Sequence, residues 1–237
     1  MTGVESAGAR HFHAQLAILK QRLLDMSVRS EELVDIAVDA LLTRDRDKAE
    51  AVIIGDHDVD RLELEVEQLA IEQLALQQPM ARDLRFIISA IKISSDLERV
   101  GDHAVNIAQS SLRITALRAP LLIDPAIEDM ARRARRMLSD ALDAFIKADG
   151  MLGREVCKRD DQVDALHDSL FRILLTHMMV DPKTITPSLE LLLVSRNLER
   201  VADLATNIAE AAVFLAEGKQ IKHRAEMTEA TRAAVGP

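Results

Sequence analysis

Tryptophan and tyrosine are absent from this chain of 237 residues, and phenylalanine occurs five times. Strands draw on aromatic and β-branched side chains, so this scarcity argues against a sheet-based fold. Eight glycines and six prolines leave few places where a helix must stop. One cysteine, Cys157, excludes an internal disulfide and fits a reducing compartment, with a buried inert thiol expected there. No apolar run of about 18 residues is present to cross a membrane, and the opening MTGVESAGARHFHAQ lacks an apolar stretch after a basic start. The expected location is cytoplasmic. Positive charge is also short: 30 Lys and Arg face 39 Asp and Glu, a net charge of -9. Nucleic acid is thereby an unfit partner, because phosphate backbones need a basic footprint and bases need stacking platforms.

What is present is Leu, Ala, Ile, Glu and Arg in abundance, with 48% hydrophobic residues, ample for a buried core. The expected fold is all-α. Helix punctuation divides the chain. Asp47 with Glu50 reads as a capping box that opens a second helix after a first ends near Leu42. Pro79 closes the second and begins the third. Asp124 caps the fourth, with Pro125 at its first position. KADGMLGRE separates fourth from fifth, VDPKTITPSLE with Thr186 before Pro187 separates fifth from sixth, and Gly218 ends the sixth. Six helices of roughly 25–35 residues with short links predict two antiparallel three-helix bundles. The expected units are 8–118 and 119–220, with 221–237 a loose tail.

The two units read as repeats. Lys92 to Gln109 and Leu193 to Glu210, 101 residues apart, share ten of eighteen residues, around LERVGDHAVNIA and LERVADLATNIA. A second acidic pair recurs 104 residues apart, Asp56 with Asp60 and Asp160 with Asp164. In each motif helix, Glu98 and Asp102, or Glu199 and Asp203, fall on one stripe. That stripe continues through Leu84, Ile87 and Ile91, or Leu192, and is expected to be buried. A separate core stripe is expected at Ile93, Leu97, Val100, Ala104 and Ile107, repeated at Val194, Leu198, Val201, Ala205 and Ile208. The acidic stripe of the fifth helix runs on into Phe171, Leu175 and Met178. In the second helix the acid lasts longer, through Glu63 and Glu67 before Ile71 and Leu74, which predicts a more solvated face.

Residues equidistant from an antiparallel turn lie level. Asp56 with Asp102, and Asp60 with Glu98, are centred on Pro79, while Asp160 with Asp203, and Asp164 with Glu199, are centred inside VDPK. Each hairpin thus gathers four carboxylates. At about 6 Å and an effective dielectric near 20, each pair repels by roughly 3 kcal/mol, so protonation, arginine or a cation must compensate. Arg99 and Arg200 are candidates, although each lies about 100° round its helix and is expected to bridge to another helix. An oxygen-only donor set favours Mg²⁺, Mn²⁺, Ca²⁺ or iron over structural zinc. Asn106 and Asn207, one turn on, are candidate supporting donors, and His103, beside Asp102, is a further candidate, although it and His57 point to other faces.

These phrases, with MARDLRFIISAIKISSDLERVGDHAVNIA before them, resemble the PhoU family of phosphate-transport accessory regulators, over about Phe12 to Gly218. The resemblance implies two tandem three-helix bundles, metal clusters on the bundle surface, and a non-enzymatic role. The implied ligands are Asp56, Asp60, Glu98, Asp102, Asp160, Asp164, Glu199 and Asp203. Implied partners are the ATPase of a phosphate ABC transporter and a sensor histidine kinase, held repressed when phosphate is plentiful. A homodimer is a further expected partner. Two departures stand out: Leu204 replaces a histidine in the second repeat, and Gln109 an acidic residue in the first.

Other readings of the same acids are a carboxylate-bridged metalloenzyme and a metal-free helical scaffold. Di-iron bundles use Glu-x-x-His pairs, and the nearest approach here is Asp164 with His167. ARRARRM could dock an acidic partner or the inner membrane leaflet, but Glu128, Asp129 and Asp140, four residues from Arg132, Arg133 and Arg136, predict a solvated face of ion pairs. Met178 and Met179 are expected in the core.

Overall fold

The computed structural model describes residues 2–117 and 123–221, and of 2–9 the backbone alone. The boundary expected at 118/119 and nearly all of the expected tail lie outside them. Among the described residues there are six α-helices and no strand: α1 (Thr2–Thr43), α2 (Arg46–Gln77), α3 (Ala81–Ala116), α4 (Ala126–Lys147), α5 (Gly150–Val180) and α6 (Ile185–Glu217). A 3₁₀ turn, Pro182–Thr184, precedes α6. The helices run from 22 to 42 residues, a wider spread than the punctuation predicts.

Local chemistry explains the breaks. Arg44 is left-handed (φ 52°) and ends α1. Asp45 rather than Asp47 therefore caps α2, accepting a hydrogen bond from the Lys48 N–H at 3.1 Å. Pro79 stays in the α2–α3 turn, because extended Met80 takes the cap position and α3 begins only at Ala81. Pro125 rather than Asp124 takes the cap position of α4, which begins at Ala126, and Asp124 just before it accepts from the Ala126 N–H at 2.8 Å. Asp149 caps α5, bonding the N–H groups of Met151 and Leu152 at 3.0 Å. Pro187 sits inside the first turn of α6, where no intrahelical N–H bond is lost. Gly218, at φ 71°, ends α6 with its N–H on the Phe214 carbonyl.

Each repeat packs three helices, α1–α3 and α4–α6. The core stripes from Ile93 to Ile107 and from Val194 to Ile208 are at most 1% exposed. The repeats join along α3 and α6, which run antiparallel. His103 Nδ1 lies 2.9 Å from Asn197 Oδ1, Arg113 Nε donates to Glu190 at 2.9 Å, and Asp96 accepts from Asn207. As α3 advances through these three contacts, α6 recedes. The hydrophobic interior runs unbroken through both repeats, with Phe86 of α3 stacked on Phe145 of α4 at 5.0 Å. An Arg135–Asp35 ion pair ties α4 to α1.

α5 approaches α6 tightly at Gly153, where an added Cβ would stand 2.8 Å from the Ala209 carbonyl oxygen and 3.1 Å from Val213. Gly153→Ala is therefore expected to destabilise the protein by about 1–3 kcal/mol, since backbone must move to make room. Urea unfolding measures it. An unchanged or raised midpoint would mean that the helices separate freely.

No helix among the described residues is long and apolar enough to cross a membrane.

Candidate functional site

The α2–α3 hairpin brings its acidic side chains level. Asp56 feels the charges of Asp60 and Asp102, and Glu98 those of Asp102, Glu63, Asp60 and Asp56. Burial, then these neighbours, push Asp56 up to about 6 and Glu98 up to about 7. Glu63 is raised too, by burial and by Glu67 and Asp60, although the Ser95 hydroxyl donates to it. Glu63 and Ser95 are themselves equidistant from Pro79. Glu63 thus joins the quartet instead of standing apart on a solvated stretch of its stripe; its position relative to the turn is the signal that places it there.

Gly101 lets this happen. A Cβ there would collide with Asp56 Oδ1, so the carboxylate lies directly against the α3 backbone. That oxygen is buried and accepts no hydrogen bond among the described residues. Arg99 does not relieve the cluster. It turns along its own helix to Asp96 at 3.6 Å, because an i, i+3 partner is closer than any neighbouring helix.

The α5–α6 hairpin repeats the arrangement with different neutralisation. Asp160 is buried, Asp164, Glu199 and Asp203 half-buried. Glu199 is raised by burial and Asp203, opposed by Arg200, and also senses Asp164 and His167. Here the arginine does engage, within its helix rather than across to another as its angular position suggests. Arg200 donates to Asp203 at 2.9 Å and lies 3.5 Å from Glu199. Ala202 stands where the first repeat has Gly101. His167 contacts the Ser195 hydroxyl at 3.0 Å, across from α5 to α6.

Two candidate supporting residues belong elsewhere. His103 meets Asn197, and Asn207 meets Asp96, so both serve the α3–α6 seam, although Asn207 is only about 40° round from Asp203. His103 is held below its usual value by burial. Asp96 is pushed up to about 6 by burial, against the pull of Arg99, Asn207 and Lys92. Leu204, at the place of His103, is 2% exposed in the same seam. Asn106 is exposed. Cys157 is buried, its thiol pushed up to about 12 by burial, which leaves it unreactive.

The donor set is oxygen-rich and suits hard cations. In the first repeat, the buried acceptor on Asp56 and the raised, mutually repelling carboxyls fit a divalent ion. As the side chains stand, no three such groups among the described residues converge tightly enough to hold one. Rotation of the exposed carboxylates about their side-chain torsions would be required.

The apolar rows beside the acids divide: Ile87 is fully buried and Ile91, Leu192 and Leu74 pack against the core, while other members face outward. Ile71 is 60% exposed, Leu84 40%, Phe171 47% and Leu175 44%. They lie toward the hairpin ends, near the α2–α3 turn and in the last turns of α5. Met179, at 80% exposed, projects past the bundle with the last turn of α5, while Met178 packs against the core.

An all-α molecule of two three-helix repeats, each with a level double row of carboxylates on facing helices, defines a class of tandem-repeat helical bundles. The PhoU domain model matches the chain twice, at residues 23–111 and 127–212, and the protein belongs to the PhoU family. It is 39% identical over 212 residues to a protein of Caulobacter vibrioides named phosphate-specific transport system accessory protein PhoU homolog, covering 90% of this chain and 92% of that one. A homologue of the same name in Aquifex aeolicus is 40% identical over 210 residues, covering 89% and 95%. Among solved structures, PhoU from Pseudomonas aeruginosa superposes with a TM-score of 0.84 at 34% identity, covering 88% of this chain and all of that one. The phosphate transport system regulatory protein PhoU from Streptococcus pneumoniae gives 0.82 at 31% identity, covering 89% and 99%.

Proposed function

We propose that the protein is a cytoplasmic regulator of phosphate uptake that acts by contact and not by catalysis. Its partners in this reading are the ATPase of a phosphate ABC transporter and a sensor histidine kinase, both restrained when phosphate is plentiful. The observation that carries the reading is the pair of mirrored carboxylate quartets on a scaffold of the PhoU family. The exposed apolar rows at the hairpin ends support it, since such surfaces serve protein contacts.

Divalent or trivalent ions, with iron, manganese, magnesium or calcium all compatible with oxygen donors, are assigned to Asp56, Asp60, Glu98 and Asp102, with Glu63 beside them. Asp160, Asp164, Glu199 and Asp203 form the second set, where Arg200 competes as a counter-charge. A bound ion would supply fixed positive charge that lets the carboxylates share one face. A homodimer completes the reading.

Deletion of the gene is expected to raise phosphate uptake and alkaline phosphatase in phosphate-rich medium, and the wild-type gene to restore both. Unchanged values in the deletion strain would defeat the regulatory role.

A further inference from the structure

On another face of α5 from Asp160 and Asp164, a groove between α4 and α5 gathers positive charge. It encloses about 480 Å³ and is lined by Arg132, Arg133, Arg136 and Arg159, with Asp129 and Gln162. The lining itself holds four guanidinium groups and one carboxylate, with two further carboxylates behind Arg159, in a chain whose net charge is -9. Asp129 takes both Arg132, at 2.5 Å, and Arg133, at 2.9 Å. Arg133 also donates to Gln162 at 2.6 Å, which holds it across the groove. Arg159 is steadied from behind by Asp140 and Glu155, each at 2.5 Å. Asp140 is therefore spent on Arg159 rather than on Arg136, and Arg136 has no ion-pair partner among the described residues.

The first repeat supplies an internal control. At positions 104 residues earlier, Asp25 and Arg29 correspond to Asp129 and Arg133, but Val28, Glu32, Gly55 and Asp58 stand for Arg132, Arg136, Arg159 and Gln162. The local geometry agrees. Arg29 reaches Asp58 at 3.2 Å as Arg133 reaches Gln162, and it lies over Gly55, 2.7 Å from where a Cβ would be. At these six positions, one cation with three carboxylates in the first repeat has become four cations with one carboxylate in the second. Packing does not require this change, because the same helices pack with the opposite charge in the first repeat.

We propose that the α4–α5 groove binds a multiply charged phosphate anion. Arg132, Arg133 and Arg136 share one face of α4, and Arg159 opposes them from α5. Guanidinium forks match phosphate oxygens in pairs and hold their charge at any physiological pH. Acids farther than roughly 8 Å are screened at physiological ionic strength, so the arginines of the lining weigh most in which ion enters. The volume lies within the range of small-ligand pockets, about 300–1,000 Å³. It exceeds what one phosphate fills, and favours a ligand with several phosphoryl groups, either inorganic polyphosphate or the tail of a nucleotide.

Calorimetric titration of the full chain tests this, in resin-treated buffer so that no cation can bridge the ligand to the carboxylate quartets. Tripolyphosphate, ATP and orthophosphate are the probes. Tripolyphosphate is expected to bind one to one, more tightly than orthophosphate, and to weaken as salt rises. Arg132→Val with Arg136→Glu, which gives the groove the residues of the first repeat, should weaken it about tenfold or more through loss of charge-assisted contacts. Its circular dichroism melt should stay where it was, and Arg136→Gln alone should show a smaller loss in the same direction. ATP binding as tightly as tripolyphosphate would assign the site to nucleotides, and much weaker ATP binding to polyphosphate; either supports the proposal. Absence of saturable binding by all three probes, or equal binding by the double variant, overturns it.

Discussion

Asp56→Asn combined with Glu98→Gln is expected to stabilise the metal-free protein above about pH 7 and to abolish its stabilisation by divalent cations. Both carboxyls are raised in the folded state, to about 6 and about 7, by burial and by one another. Unfolded, they titrate at their ordinary values, about 4. The folded protein therefore holds more protons between about pH 4 and 7. The stability linked to these groups is complete below the unfolded values and is lost as pH rises through the folded ones. Wild-type protein without metal should melt at a higher temperature near pH 5 than near pH 8, and the double variant should show a flatter profile. A cation acts in the opposite sense, since it binds the deprotonated acids and gains as pH rises. At a concentration a hundred times its Kd it adds about 2.7 kcal/mol, on the order of 5–10 °C in Tm for a chain of this size. Melting curves with and without Mn²⁺ across this pH range check both halves of the expectation. A cation shift of the same size in the double variant would remove these two residues from the site.

Phe145→Ala should cost more stability than Gly153→Ala, at about 3–5 kcal/mol. Phe145 is fully buried and stacks on Phe86, whose other surroundings include the Lys20 ammonium 5.2 Å from the ring centre. The pair joins α4 to α3, and so one repeat to the other through the shared interior. Urea denaturation should show a single transition with a lowered midpoint. A loss under about 1 kcal/mol would mean that the interior closes over the gap at little cost.

Much of this is legible in the sequence because it depends on period and spacing alone. The core stripes from Ile93 to Ile107 and from Val194 to Ile208 follow from helical periodicity, and they are buried as expected. The level meeting of Asp56 with Asp102 follows from counting outward from Pro79, whatever the details of the turn. Other features depend on facts that periodicity does not carry. Asp45 replaces Asp47 as a cap because the backbone at Arg44 turns left-handed, a tertiary choice for a residue that prefers otherwise. Leu84, Phe171 and Leu175 read as core but face outward, since a stripe of apolar residues does not say whether a third helix lies over it. By spacing alone, Asn207 and His103 read as companions of the acids. Together with Asp96 and Asn197 they hold the repeats to one another, which becomes visible only once α3 is laid against α6.

The antiparallel seam has one more consequence. Because α3 and α6 run in opposite directions, Gly218 lies beside Arg85 at one end while Glu190 meets Arg113 at the other. The two bends, at Pro79 and at Pro182, therefore occupy opposite poles of a stiff rod whose span is that of α3, on the order of 50 Å. A molecule so built has two heads joined through one continuous packed interior. Whatever grips both heads at once must itself present footholds at that fixed separation.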